Sequence, residues 1–196
     1  LWLVGSDSVC YSADGITWTL ATDNLPWLYR NFFGAVVFDN KMWVLGGVNY
    51  TGTGDSWDTY NDIWYTSDGI NWKLAVNEAP WVPRRFFKPL VHYNKLWVIA
   101  GQTEDPACEF LHGNLNDIWF SSDGIKWYEL LPEDSFPRRH APYIYSFQNE
   151  IYVIAGYGND EIFYNDVWKL NIPLSLIFVT EPDTTALYKN EYTYEA

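Results

Sequence analysis

The sequence predicts an all-β protein assembled from repeated four-stranded units, and three observations carry that reading. The stretch Asn61–Trp72, N-D-I-W-Y-T-S-D-G-I-N-W, recurs at Asn116–Trp127 as N-D-I-W-F-S-S-D-G-I-K-W. A decayed copy stands at Val9–Trp18 and a partial one at Asn165–Leu170. Independent markers keep step with it: Trp18, Trp72 and Trp127 are 54 and 55 residues apart, as are Trp43, Trp97 and Tyr152. A fixed period of this length marks an array of stacked structural units. Composition agrees, since aromatics make up 19% of the chain, with twelve Trp and fifteen Tyr against one Met. Flat aromatic and β-branched side chains pack well on pleated sheet.

Taken in order, the chain opens on the apolar run Leu1 to Val4, the second strand of a unit whose first strand is absent. With no initiator Met, Leu1 reads as a truncated start, so a missing leader carries no information about secretion. The middle unit shows the pattern best. Its strand A runs from Phe86 to Tyr93 and turns at Asn94-Lys95. Strand B is Leu96 to Ala100, closed by Gly101 and apolar throughout, as expected for a strand covered on both faces. Strand C carries Asn116 to Phe120 and strand D Trp127 to Leu130. Between them, Ser-Asp-Gly is a hairpin signal, because glycine takes positive φ freely and aspartate caps the turn. The last unit has strands A (around Ala141 to Phe147), B (Ile151 to Ala155) and C (Val167 to Leu170), and no D-strand Trp. After Pro173 the character changes.

Charge excludes some functions. The net charge of −13 disfavours nucleic acid, whose phosphates need Lys and Arg to displace counterions, and disfavours anionic membranes. No apolar run approaches the ~20 residues of a membrane-spanning helix. Cys10 and Cys108 lack metal-ligand spacing and form no disulfide framework. Cys10 stands where other units place Trp64, Trp119 and Trp168, so it reads as a core substitution.

Gly46-Gly47 after an apolar strand, then Asn-Asp-Ile-Trp, a Trp before a Leu, and Pro-Arg together resemble the kelch repeat of β-propellers, an architecture shared by the galactose oxidase and sialate epimerase families. The double glycine becomes Ala100-Gly101 and Ala155-Gly156 in later units. The resemblance implies a β-propeller of four-stranded kelch-type blades, of which residues 1–173 hold about three and a half. Rings of this kind close with about four to eight blades, so the expectation is the C-terminal part of a larger propeller whose upstream blades complete it. The Ser-x-Asp-Gly-x-x-Trp turn resembles the Asp-box of sialidases but is one residue short between Asp and Gly, which points to shared turn physics. Residues 174–196, with Thr180-Glu181-Pro182 and Tyr192-Thr193-Tyr194, resemble a linker and the first strands of a bacterial Ig-like or cadherin-like module. That arrangement implies a secreted or surface-attached protein.

An up-and-down meander places the D-to-A and B-to-C connections on one side and the tight hairpins on the other. The long B-to-C loops, 48–60, 102–115 and 157–164, fall on the first side, where binding surfaces concentrate. All five arginines, Arg30, Arg84, Arg85, Arg138 and Arg139, fall in D-to-A connections. Arg30, Arg84 and Arg138 are read as equivalent positions near a central channel, with Trp27, Trp81 and Phe136 just upstream. In kelch propellers the matching arginine sits at the channel mouth and in some members contacts ligand. Two readings stand for these residues. As a set they hold a carboxylate or sulfate bidentately, with Trp27 and Trp81 stacking on sugar faces. Alternatively each arginine fastens a blade to its neighbour through Asp62, Asp117 or Asp166, and the tryptophans are wedges.

The loop acids Asp55, Asp58, Glu104, Asp105, Glu109, Asp160 and Glu161 lack calcium-loop spacing and read as solvated charge. His92, His112 and His140 occupy non-equivalent positions without catalytic spacing. Of them only His140, beside Arg138 and Arg139, is worth following. The two Tyr, two His and Cys-linked Tyr of galactose oxidase do not map here, so no catalytic residue, metal or cofactor is assigned. Asn49-Tyr50-Thr51 matches a glycosylation acceptor. The leading expectation is a non-enzymatic module, extracellular or at the cell surface, that binds a glycan or protein on the face of the D-to-A and B-to-C loops. The alternatives are a carbohydrate-active enzyme of the sialate epimerase kind and a plain scaffold.

Overall fold

The computed structural model describes residues 1–27, 29–50, 57–104, 113–131, 135–159, 162–170 and 172. They form four antiparallel sheets, and no helix occurs among the described residues. The first sheet is β1 (Trp2–Val4), β2 (Val9–Tyr11) and β3 (Thr19–Thr22). The second is β4 (Gly34–Phe38), β5 (Lys41–Tyr50), β6 (Trp57–Thr66) and β7 (Lys73–Val76). The third is β8 (Leu90–His92), β9 (Lys95–Gln102), β10 (Asn114–Ser121) and β11 (Tyr128–Leu130). The fourth is β12 (Tyr143–Phe147), β13 (Glu150–Ile154) and β14 (Val167–Leu170). Within each sheet, spatial order follows chain order.

The hairpins follow from local chemistry. Asp39-Asn40, Tyr93-Asn94 and Gln148-Asn149 all have φ between 47° and 64°, the signature of a two-residue turn whose twist matches that of its strands. Asparagine at the second position tolerates this left-handed conformation. The turn in the third sheet lies one residue earlier than the sequence suggested, because Lys95 already pairs with His92. At the same end of the second sheet, in the turn between its third and fourth strands, Asp68 Oδ1 accepts the amides of Ile70 and Asn71 while Thr66 Oγ accepts that of Gly69. Asp14 repeats this with Ile16 and Thr17, and the Thr17 amide bond leads in holding its carboxyl at about 2.

The double-glycine signature turns out to be two different demands. Gly46, Ala100 and Ala155 have φ of 56°, 59° and 55°, where alanine is strained by about 1–2 kcal/mol but admissible. Gly47, Gly101 and Gly156 have φ of 103°, 113° and 108°, where only glycine is at ease. That explains why the second glycine persists and the first does not. The register shifts here, between Leu45 and Gly47, and the ladder then resumes. Val48, Asn49 and Tyr50 pair with Thr59, Asp58 and Trp57, and Gln102 pairs with Asn114. The expected irregular loops are thus strand at their roots, a correction to the sequence reading. Residues 51–56, 105–112 and 160–161, with Cys108, His112, Asp55, Asp105, Glu109, Asp160 and Glu161, lie outside the described residues, as does the Ig-like reading of 174–196.

The sheets stack face to face in chain order. Val9, Trp27, Val44 and Trp72 form the core between the first and second. Leu45, Trp81, Val98 and Trp127 belong to the core between the second and third, and Ile99, Phe120, Ile144 and Val153 to that between the third and fourth. Every residue of β9 is buried, which accounts for its unbroken apolar run. The first strands of successive sheets adjoin, β8 lying against both β4 and β12. Each third-to-fourth-strand turn also rests on the preceding sheet. A Cβ on Gly69 would stand 2.2 Å from the ring of Trp2, and one on Gly124 would stand 2.4 Å from that of Trp43. No helix among the described residues is long and apolar enough to cross a membrane.

Candidate functional site

Three arginines repeat, and the structure gives them one job. Arg30 Nη1 and Nη2 donate to the two oxygens of Asp62 at 2.5 and 2.9 Å, Arg84 to those of Asp117 at 2.7 and 2.5 Å, and Arg139 to those of Asp166 at 2.6 and 2.9 Å. Each Nη1 also donates to a carbonyl at the strained turn, of Gly46, Ala100 or Ala155. The indole N–H of Trp64, Trp119 or Trp168 donates to the same carboxylate. The Arg139 bonds come first among the causes that hold the Asp166 carboxyl below its usual range. Aromatic faces close the sandwich: Arg30 lies 4.4 Å from the Tyr60 ring and Arg139 lies 4.1 Å from that of Tyr164.

The backbones of these arginines point the other way. Arg84 N donates to Tyr60 O and Gly47 N donates to Arg84 O, while Arg139 N donates to Leu115 O and Gly101 N to Arg139 O. At Arg84 and Arg139 main chain therefore binds the preceding sheet and side chain the following one, so each of these two is a clip between two sheets. Asn61 Nδ2 completes the join by donating to the carbonyls of Ala79 and Trp81, as Asn116 Nδ2 does to Phe136 O. In the Asn-Asp-x-Trp motif the first half thus faces the connections, and the turn half lies at the opposite end of the sheet.

The equivalence of Arg30 and Arg84 extends to Arg139, not to Arg138. The spacing of 54 and 55 residues already favoured Arg139. Trp27 meets Trp72 edge-on at 4.9 Å and Trp81 meets Trp127 edge-on at 6.1 Å, both buried as wedges between sheets. Arg30, Arg84, Arg85 and Arg139 are all buried. Asp62, Asp117 and Asp166 hold arginines, whereas Asp14, Asp68 and Asp123 are the carboxylates that hold turns.

The position after each clip arginine is Asn31, Arg85 or His140, and there the repeat diverges. Arg85 Nε donates to Gln102 Oε1 and its Nη2 forms an ion pair with Glu104. His140 Nδ1 lies 2.7 Å from Asn114 Oδ1. The Asn114 amide donates to Asn159 Oδ1 and the Tyr157 carbonyl, so its oxygen accepts and His140 Nδ1 carries a proton. The residue after that is Phe32, Phe86 or Ala141, with φ of 53°, 53° and 51°. Bulky residues rarely sit there, and such outliers persist only where surrounding contacts enforce them. Lateral bonds do so here: Phe86 N donates to Phe32 O and Ala141 N donates to Phe86 O.

This strained line of backbone carries a row of rings. Phe32 meets Phe86 at 4.1 Å and Tyr50 at 6.3 Å; Phe86 meets His140 at 5.4 Å, His140 meets Tyr157 at 5.0 Å, and Tyr157 meets Phe163 at 4.7 Å. The row crosses three sheets on the side of the connections. Phe32 and Phe163 are exposed, 46% and 78%, and Phe86, His140 and Tyr157 are half-buried. Asn31, Asn159 and the Arg85–Glu104 pair border it. Sequence reasoning singled out His140 but missed the phenylalanines and tyrosines, although Phe32 and Phe86 stand 54 residues apart directly beyond the clips. Among the described residues no group of three or more His, Cys, Asp or Glu is placed to hold a metal ion.

No family model and no curated protein sequence matches the chain. Solved structures do. One of them, described as "Structure of YjhT", superposes with a TM-score of 0.66 at 12% identity over 99% of this chain. The chain spans 62% of the length of that structure. At this identity the likeness is one of fold: an all-β chain of antiparallel sheets.

Proposed function

We propose that the four sheets are consecutive blades of a kelch-type β-propeller and that the chain is a non-enzymatic recognition module for a glycan, working outside the cell or at its surface. The row of rings from Tyr50 to Phe163 carries this reading. Sugar rings present flat C–H faces that stack on aromatic side chains, while their hydroxyls need amide and charged partners at the edge. The row supplies the first, and Asn31, Asn159 and Glu104 the second. A protein ligand would use the same rings less selectively. The clip arginines take no part, since their guanidinium groups lie buried in bidentate pairs.

Glycine separates binding from folding at this site. Phe32→Gly and Phe86→Gly remove two rings at positions whose positive φ glycine prefers. Each aromatic contact is worth about 0.5–1.5 kcal/mol beyond its area. The double variant is therefore expected to bind oligosaccharides about tenfold or more weakly while its melting temperature stays near that of the parent. A calorimetric titration against a panel of neutral and acidic oligosaccharides checks this. If no oligosaccharide binds, or if the double variant binds as tightly as the parent, the glycan reading fails.

A further inference from the structure

The stack of sheets ends in two apolar faces that no other described sheet covers. In the first sheet, Val4 and Val9 point into the core shared with the second. Strand alternation therefore turns Leu1 and Leu3 to the other side, where both are exposed. Leu3 is 58% exposed, whereas Val44, Val98 and Val153, each paired like Leu3 with the strand that follows, are 0%. Trp18 is exposed as well, although its counterparts Trp72 and Trp127 are buried.

The fourth sheet shows the opposite face. Ile144, Ile151 and Val153 point into the core shared with the third sheet, which turns Tyr143, Tyr145 and Phe147 outward. All three are exposed, whereas Phe38 and His92, which close their strands as Phe147 does, are buried. Val167 is 47% exposed, and its counterparts Ile63 and Ile118 are 0%. Each open face is thus the complement of the other. The first sheet leaves bare what the second and third present to the sheet before them, and the fourth leaves bare what they present to the sheet after them. The turns repeat this. Gly69 and Gly124 rest on the rings of Trp2 and Trp43, but a Cβ on Gly15, at the matching φ of 77°, would meet only its own sheet's Leu1. Tyr152 takes the place of Trp43 in the fourth sheet, pairing with Tyr145 as Trp43 pairs with Val36.

We propose that the first sheet of one copy stacks on the fourth sheet of a second copy, head to tail, continuing the junctions found within the chain. Gly15 then seats on Tyr152 of the second copy, while Leu3 and Trp18 cover its Phe147 and Val167. A second copy is the occupant because each face already has its match at the other end of the same chain. Burial of apolar surface drives the contact. Ser8 and Cys10 stand where a clip needs aspartate and tryptophan, so no arginine pair reinforces it and it is weaker than the junctions within the chain. The two surfaces differ, so the contact is heterologous and either closes into a ring or continues from copy to copy.

The test is analytical sedimentation of the whole 196-residue chain over a range of concentrations. The parent is expected to associate by about 100 µM, the weak end for an interface of this kind. Leu3→Lys and Phe147→Lys each put a charge into the junction at a residue that is exposed within one copy. Either variant alone is expected to associate at least about tenfold more weakly, with the parent's melting temperature at low concentration. Mixed one to one, Phe147→Lys offers an intact first sheet and Leu3→Lys an intact fourth, so the mixture is expected to form a dimer that grows no further. Leu3→Gln and Phe147→Gln repeat the comparison without charge and replace any lysine variant that melts lower. The proposal is overturned if the parent stays monomeric at about 100 µM, since the faces are then open or covered by another occupant. It is equally overturned if either variant associates as the parent does, or if the mixture stays monomeric.

Discussion

The first sheet and the third are built on one plan and held by different means. In the third, Asp117 and Trp119 grip Arg84, whose backbone is bonded to the second sheet. In the first, Leu3 pairs with Cys10 as Val44 pairs with Trp64, so Cys10 stands in the tryptophan position and Ser8 in that of the aspartate. The two letters have gone together. An indole without the carboxylate would lose its hydrogen-bond acceptor, which ties the two positions together. The first sheet instead leans on the second through Val9 and Trp2, and leaves Leu1, Leu3 and Leu20 exposed. The aspartate and the tryptophan of the clip are thus replaced together in the first sheet.

Breaking the clip should give the largest effect. Arg84→Ala leaves Asp117 without its cation and frees the connection between two sheets. A loss of about 3–5 kcal/mol is expected, read as a lower urea midpoint. Arg84→Met with Asp117→Leu removes both charges and should recover most of that loss. Ser8→Ala, at the matching place in the first sheet, should stay within about 0.5 kcal/mol. Equal losses at Arg84 and Ser8 would show that the pair does not join the sheets.

A smaller effect sharpens the same contrast. Gly69→Ala and Gly124→Ala both place a methyl against a tryptophan ring of the preceding sheet, at φ of 78° in each case. The rings differ in freedom. Trp43 is 3% exposed and its indole N–H is tied to Phe38 O, whereas Trp2 is 43% exposed. Gly124→Ala should cost about 2–4 kcal/mol, strain plus overpacking, and Gly69→Ala about 1–2 kcal/mol, mainly strain. Paired denaturation curves decide it, and the reverse order would mean that the first sheet packs as tightly as the second.

Much of this frame was legible in the sequence because it repeats. Trp64 with Trp119, Asp68 with Asp123, and Gly47 with Gly101 recur at the 54- to 55-residue period, and recurrence ties a letter to architecture. The role of the aspartates in Asn-Asp-x-Trp was harder to read. Asp62 and Asp68 both precede a turn in the sequence, and only the bend of the connection shows that one meets Arg30 and the other its own backbone. The ring row was less legible still. Phe32 and Phe86 look like strand residues until their positive φ turns them out of the sheet, and Tyr157 reaches His140 through a backbone bridge beyond the β12–β13 ladder.

The last and smallest contrast is acid-base. Phe38, His92 and Phe147 close the first strand of the second, third and fourth sheets, each opposite the residue that opens the next strand. Only the third uses a histidine. His92 is buried, with Nδ1 2.7 Å from Ser146 Oγ across the junction with the fourth sheet. Burial holds its pKa below 6.5, and a contact with the Asn149 backbone opposes the shift only in part. Below pH 6.5 the unfolded chain therefore binds a proton that the folded chain refuses, so stability falls as pH drops from 6.5 toward the lowered value. The slope is at most about 1.4 kcal/mol per pH unit. His92→Phe, which restores the residue of the neighbouring sheets, removes both the titration and the Ser146 contact. Its urea midpoint should lie flatter between pH 7.5 and pH 5.5, a window estimated from the ordinary histidine pKa of about 6.5. Arg84→Ala should keep the parent's slope at a lower level, because it leaves His92 and its Ser146 contact in place. A His92→Phe variant with the parent's full slope would assign the acid sensitivity elsewhere and leave the third junction no different from the second.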